Sequence, residues 1–148
     1  MKSFVAPLAV SVAVCAAPLA ARAQGASYTI DPFHSFVHFE VDHLGGLTRI
    51  RGRFDKLAGK LNVDLPGKTG AAEVVVQTAS ITTGDNDKGS RPRSRDEHLR
   101  SPDFFNVAEF PTMTFKSNKI VFTGDAPSAV EGTVTLLGVT KPIMLKVD

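Results

Sequence analysis

The sequence has almost no cysteine. The single thiol among 148 residues, Cys15, lies in an N-terminal apolar run that we predict is removed on export. A mature chain without thiols excludes disulfides, cysteine nucleophiles, iron–sulfur clusters and thiolate zinc sites. A domain of about 125 residues can rely on its own hydrophobic core, so it needs no disulfide for stability.

The sequence also lacks an excess of charge. It carries 17 basic and 15 acidic side chains, and two of the basic ones, Lys2 and Arg22, lie at the N-terminal end. Without those two, 15 basic side chains face 15 acidic ones. A neutral domain has no overall field that attracts phosphate backbones, so we expect no nucleic-acid partner.

No apolar run is long enough to span a membrane. The longest, residues 4–19, falls short of the ~20 residues that a bilayer-spanning helix needs, and prolines interrupt it. Lys2 before this run and the small-x-small motif at 21–23 after it are typical of a signal peptide that is cleaved after Ala23. We therefore predict a cleaved signal peptide at 1–23, one mature domain at 24–148, no transmembrane span, and secretion into the periplasm.

The mature chain shows apolar and polar residues in alternation. In residues 35–41, for example, Val37, Phe39 and Val41 fall on one face and the residues between them on the other. Similar patterns, separated by Gly and Pro, predict strands at 35–41, 49–55, 57–64, 73–81, 112–117 with 120–122, 130–137 and 143–147. The segment 83–100 is polar and charged, and within it we predict a surface loop at 85–94. Many short strands and no long amphipathic helix indicate an all-β antiparallel sandwich or barrel.

Catalytic motifs are missing as well. The sequence has neither a Gly-x-Ser-x-Gly elbow nor a His-Glu-x-x-His pair. His34 and Ser35 are neighbours on a strand-like segment, so their side chains diverge. His34 and His38 would be ~13 Å apart along a strand, too far to share one metal ion. We expect a protein that is not an enzyme and that holds no metal.

The segment 95–115 is the most distinctive part of the sequence. It contains RDEHLRSPDFFN at 95–106 and EFPTMTF at 109–115. Shorter motifs flank it in order: YTID at 28–31, HS at 34–35, HLG at 43–45, GRF at 52–54 and GVTKP at 138–142. Together these motifs resemble the YceI-like family of exported lipid-binding proteins over nearly the whole mature chain.

The resemblance implies a lipocalin-like antiparallel β-barrel around an apolar cavity. It also implies a non-enzymatic periplasmic protein that binds a polyisoprenoid or quinone-like lipid, with no cofactor besides that lipid. The predicted inward-facing residues, which we expect to line the cavity, are Val37, Phe39, Val41, Ile50, Phe54, Val74, Val76, Phe115, Val134, Leu136, Ile143 and Leu145. None of them is charged, so the interior suits hydrocarbon.

The polar residues near the aromatic pair allow two interpretations. In the functional one, His34, His98, Phe104 and Phe105 lie at the cavity mouth, where a histidine meets the polar head of the ligand. In the structural one, Asp96 caps a short turn and Arg95 binds a carbonyl or a carboxylate. Leu99, Phe104 and Phe105 then plug one end of the barrel.

An alternative function also remains open. An eight-stranded barrel can be filled by its own side chains instead of holding a ligand. The protein would then be a stress-protective or protein-interaction module that binds no lipid.

The end of the sequence departs from the family pattern. The chain stops at Asp148, soon after the GVTKP motif, where family members continue through about two more strands. Six main strands cannot close an eight-stranded barrel. We therefore expect an incomplete barrel, truncated at its C-terminus, whose open edge at 143–147 favours aggregation or a homodimer.

Overall fold

Antiparallel strands make up most of the structure. The computed structural model describes residues 25–148, so the predicted signal peptide and its cysteine lie outside the described residues. In chain order the elements are β1 (Ala26–Thr29), β2 (Val37–His43), β3 (Thr48–Phe54), β4 (Leu57–Asp64), β5 (Thr69–Gln77), a 3-10 turn (Thr78–Ser80), β6 (Ile81–Thr82), α1 (Arg95–Arg100), β7 (Thr112–Thr123), β8 (Ala126–Leu136) and β9 (Val139–Lys146).

The strands form two sheets. A six-stranded sheet has the order β1-β4-β5-β7-β8-β9, and a three-stranded sheet has the order β2-β3-β6. All strand pairs in both sheets are antiparallel, which confirms the predicted fold class. Within residues 25–148 no ladder joins the two sheets, so the barrel is not closed.

Several of the sequence-based strand predictions were wrong in their bounds: β7 runs without a break from Thr112 to Thr123, β8 begins at Ala126 and not at 130, and β9 begins at Val139 and not at 143. The short strand β1 was missed because its four residues show no alternation between buried and exposed side chains. The predicted strand 73–81 ends at Gln77, where the 3-10 turn begins. That turn is held by a distant segment: the Thr78 amide donates to the carbonyl of Pro111 (3.0 Å), and its hydroxyl donates to the carbonyl of Phe110 (2.7 Å).

The β2–β3 hairpin carries the predicted apolar face. Val37 lies opposite Phe54, Phe39 opposite Gly52, and Val41 opposite Ile50. Directly paired residues share a face of a sheet, so these side chains all point to the same side.

Glycine lets an aromatic ring lie flat on each sheet. The ring of Phe39 covers Gly52, and a methyl group added at that glycine would overlap the ring. Phe115 covers Gly132 of the six-stranded sheet in the same way. A large side chain over a strand glycine compensates for the missing side chain and pins the register of the pair.

The core lies between the end of β3 and the middle of the six-stranded sheet. Phe54, Leu57, Val76 and Ile81 form its buried cluster. Leu99, Phe105 and Met113 are among the partly buried side chains packed against that cluster. The segment after the polar loop therefore packs Leu99 and Phe105 against the core, whereas Phe104 is 48% exposed.

The helix α1 is capped by Ser94, not by Asp96. The Ser94 hydroxyl accepts a hydrogen bond from the Glu97 amide (3.1 Å), an N-cap contact that satisfies a free helix donor. Asp96 is buried and points away from its own turn. Its carboxylate accepts from the Thr83 amide (2.8 Å), the Thr83 hydroxyl (2.6 Å) and the Thr82 hydroxyl (3.1 Å). The prediction that Asp96 caps the turn was wrong, because its carboxylate instead binds Thr82 of β6 and the adjacent Thr83.

Strand β9 is an outer strand of the described sheet, and all eight of its residues are exposed. The Val147 amide donates to Ser128 of β8 (3.0 Å). Hydrogen-bonding groups of successive residues point to opposite sides of a strand, so the backbone groups of Thr140, Pro142 and Met144 point away from β8, toward the unpaired edge. Pro142 has no N–H, so a donor is missing from the middle of this edge. Edge prolines of this kind hinder pairing with another strand.

Candidate functional site

A largely apolar cavity of about 670 Å³ lies between the β2–β3 hairpin and the segment that contains α1. Its wall consists of Val37, Phe39, Val41, His43, Ile50, Phe54, Arg95, His98, Leu99, Phe104, Phe105, Met113 and Leu136. Ten of these thirteen side chains are aliphatic, aromatic or thioether groups. The volume falls within the range of about 300–1,000 Å³ that is typical of small-molecule sites.

The wall includes half of the predicted lining residues. Those on the wall are Val37, Phe39, Val41, Ile50, Phe54 and Leu136. Val76 belongs to the buried core cluster, and Val74 packs against it. Phe115, Val134, Ile143 and Leu145 lie outside the wall. The register puts Phe115 opposite both Val74 and Val134, so these three share one face of the six-stranded sheet, beyond the cavity.

The predicted mouth residues divide in the same way. His98, Phe104 and Phe105 are on the cavity wall. His34 is not: its side chain is exposed, and its Nδ1 atom pairs with the Asp31 carboxylate at 2.6 Å. This contact is the main reason that the pKa of Asp31 is lowered. His34 and Asp31 therefore form a surface pair away from the cavity.

Sequence reasoning did not assign Met113, Leu99, His43 and Arg95 to the lining. Met113 lies at the start of β7, where register with Val76 turns it toward the core. The HLG and RDEHL motifs contained the other three, but they gave no indication of which side chains border the cavity. Alternation along a strand identifies the inner face; the position of α1 decides which part of that face borders empty space.

The aromatic side of the wall is held by contacts among rings. Phe39 and Phe54 are 5.8 Å apart between centroids, and Phe54 meets Phe105 edge to face at 5.5 Å. His98 meets Phe104 edge to face at 4.8 Å. These separations are typical of favourable aromatic pairs. The Phe54–Phe105 contact thus links the hairpin to the α1 segment, and the His98–Phe104 pair is a separate ring contact within that segment.

The charged groups on the wall are compensated by partners. The Nε of Arg95 donates to the Thr83 hydroxyl (2.7 Å), and its guanidinium lies 3.8 Å from the Asp85 carboxylate. This arrangement fits the predicted role of Arg95. His98 Nε2 is 3.0 Å from the Asp103 carboxylate, which also accepts from Arg93 (2.7 Å).

The Arg93 contact, followed by the His98 contact, lowers the pKa of Asp103. The carboxylate therefore stays ionised beside these two basic groups. At the polar end of the cavity, the side chains of Arg95 and His98 therefore both have polar partners.

Backbone contacts fix the α1 segment against the sheets. Arg100 donates to the carbonyls of Ala79 (2.9 Å) and Ile81 (2.6 Å). Together with the buried Asp96 carboxylate, these bonds fix the position of Leu99 on the cavity wall. The cavity is therefore bounded by anchored elements and not by a free loop.

Neither metal clusters nor spanning helices are found in the part of the chain that the structure describes. Residues 25–148 contain no group of three or more His, Cys, Asp or Glu side chains placed to hold a metal ion. None of the helices in residues 25–148 has the length and apolar character that crossing a bilayer requires.

The fold consists of two antiparallel sheets that flank an apolar space large enough for a ligand. This architecture is compatible with a binding protein. The sequence model of the YceI-like domain matches residues 28–148. A UPF0312 protein of Vibrio cholerae serotype O1 is 38% identical over 138 residues, which cover 92% of this chain and 68% of the relative. A UPF0312 protein of Pseudomonas aeruginosa is 37% identical over 129 residues, which cover 86% of this chain and 63% of the relative. The chain belongs to the YceI-like family.

Solved structures agree with this assignment. The YCEI protein of Campylobacter jejuni superposes with a TM-score of 0.57 at 29% identity, over 79% of this chain and 64% of that one. Burkholderia cenocepacia BcnA superposes with a TM-score of 0.60 at 22% identity, over 74% of this chain and 63% of that one, and shows the shared fold. The chain thus spans less than two thirds of each of these two structures.

Proposed function

We propose that the protein is a non-enzymatic binding protein that holds a long-chain isoprenoid or quinone-like lipid in its apolar cavity. The observation that carries the proposal is the cavity of about 670 Å³, whose wall is almost entirely hydrocarbon and aromatic. A site of this composition offers a ligand dispersion contacts and shelter from water but few hydrogen bonds.

The energetics favour a chain-like apolar ligand. Burying hydrocarbon contributes about 0.8 kcal/mol per CH₂ relative to water. A bilayer gives a lipid tail nearly the same environment, so transfer from membrane to cavity is close to balanced. A carrier needs that balance, because a lipid bound far more tightly than in the membrane would not be released.

Within residues 25–148, unfilled space beside Phe39 supports the lipid proposal over a barrel filled by its own side chains. In a filled interior, Phe39 and Phe54 would both contact neighbours on all sides. Phe54 is 3% exposed and belongs to the core, whereas Phe39 is only partly buried and packs beside it. Phe39 therefore offers the part of its ring that borders the cavity to a ligand.

The predicted signal peptide at 1–23 supports a periplasmic location for this function. Export would place the domain between membranes, where an isoprenoid or quinone-like lipid needs a carrier to cross water. N-terminal sequencing of the processed protein is expected to begin at Gln24. Recovery of protein that retains Met1 would contradict export.

Organic extraction of the purified protein, followed by mass spectrometry, tests the proposal. We expect an isoprenoid lipid in amounts comparable with the protein. Extraction with no lipid, from protein that nevertheless unfolds cooperatively, would instead support the side-chain-filled module.

A further inference from the structure

The turn between β2 and β3 presents two leucines to solvent. Leu44 is 67% exposed and Leu47 is 79% exposed, in a turn that also contains Gly45 and Gly46. A hairpin turn usually carries polar residues. Two large apolar side chains at its tip gain no burial within residues 25–148.

Leu44 also adopts an unfavourable backbone conformation. Its φ is +54°, in the left-handed region that glycine and asparagine adopt readily and leucine does not. Gly45 and Gly46 follow with φ of +67° and +91°. The turn is closed by hydrogen bonds from the Gly46 amide to His43 (3.2 Å) and from the Leu47 amide to Leu44 (3.4 Å). Folding alone gives no reason to keep leucine at this position.

The turn continues directly from the open end of the cavity. Val41 and His43 line the cavity and precede Leu44 on the same strand. Exposure rises along the hairpin, from 3% at Phe54 to 54% at Val41. The cavity therefore runs from a buried end at the core toward an exposed end beside the leucine turn.

Charges near the turn are paired. Arg49 lies 3.2 Å from Asp42 and 3.5 Å from Glu40. The turn thus has no excess charge that would select an anionic surface, and its two leucines suit an uncharged apolar phase.

We propose that the β2–β3 turn is a membrane-docking tip that inserts Leu44 and Leu47 into the apolar boundary of a bilayer. This inference rests on the proposed function, since docking would bring the open end of the cavity against the source of the lipid. Insertion of two leucines gives a weak, reversible contact, because even a single fourteen-carbon acyl anchor binds membranes only marginally.

The absence of tryptophan from the chain allows a clean fluorescence test. Leu47→Trp places the sole indole at the tip, and Leu65→Trp places it in the β4–β5 turn, where Leu65 is 52% exposed. With phosphatidylcholine vesicles we expect a blue shift for Leu47→Trp and quenching by chain-brominated lipid, but neither for Leu65→Trp. An unchanged Leu47→Trp spectrum would overturn the proposal, as would equal responses of the two variants.

A flotation assay tests the native side chains. Leu44→Asn combined with Leu47→Ser removes the apolar groups while suiting the positive φ, so folding should be retained. We expect vesicle binding to fall about tenfold or more, from the lost transfer of two leucines out of water. Leu137→Asn, at another leucine with positive φ (+52°), is the matched control and should bind as the parent does.

Two further outcomes separate this proposal from others. Binding should be equal for phosphatidylcholine and phosphatidylglycerol vesicles and insensitive to salt; a strong preference for anionic vesicles would contradict apolar insertion. A blue shift that grows with protein concentration without vesicles would assign the tip to a second copy of the chain. Tip-dependent vesicle binding by a protein that yields no extractable lipid would refute the proposed function and leave the docking tip standing.

Discussion

Replacing Phe39 with alanine distinguishes a ligand cavity from a packed core. The Phe39 ring covers Gly52 and packs against Phe54 at a tilt of 49°, while it also borders the cavity. Phe39 is partly buried, whereas Phe54 is 3% exposed, so the protein covers less of the Phe39 ring than of the Phe54 ring. Because apolar area removed from water contributes ~25 cal/mol per Å², removing Phe39 should cost less than the about 3–5 kcal/mol of a fully packed phenylalanine in the lipid-free protein.

A more deeply buried ring costs more to remove. Phe54→Ala is the comparison, because Phe54 also borders the cavity but is buried in the core cluster, and it should cost about 3–5 kcal/mol. Urea unfolding of the delipidated protein measures the loss of unfolding free energy for both variants. The cavity interpretation predicts a clearly smaller loss for Phe39→Ala, together with reduced lipid retention. Equal losses for the two variants, with no lipid recovered from the parent, would refute it.

Three further predictions concern the surroundings of the cavity. Gly52→Ala should force the Phe39 ring off the strand and destabilise the fold by about 1–3 kcal/mol in urea unfolding, whereas no change would mean that the ring moves freely. The lowered pKa of Asp103 adds stability that is complete above its ordinary pKa of 3.8 and is lost as pH falls through the folded value; Asp103→Asn should remove this acid-side dependence in pH-resolved unfolding. Pro142→Thr adds a backbone donor to the open edge of β9 and should increase self-association in size-exclusion chromatography. Unchanged elution would show that the missing donor is not what prevents pairing at this edge.

Local sequence was sufficient for much of the fold. Strand β4 has the predicted bounds, 57–64, because alternation over eight residues is a strong signal for a half-buried strand. The end of β5 was not predictable in this way. It depends on Thr78, whose partners Phe110 and Pro111 lie more than thirty residues further along the chain.

The site was predictable only in part, for a related reason. Alternation placed Phe39 and Phe115 correctly on inner faces, but only Phe39 borders the cavity. The difference arises from α1, which Asp96 and Arg100 fasten to β6 and the 3-10 turn. Long-range hydrogen bonds of this kind leave no periodic pattern in the sequence.

A pair of valine-to-lysine variants tests the central claim most directly. Val41 lines the cavity and is 54% exposed, whereas Val139 lies outside the wall and is 56% exposed. Either lysine can reach water, so both variants should fold with near-parental stability. Organic extraction and mass spectrometry should then show that Val41→Lys loses its isoprenoid lipid while Val139→Lys retains it. Equal lipid content in the two variants would contradict a ligand held in this cavity.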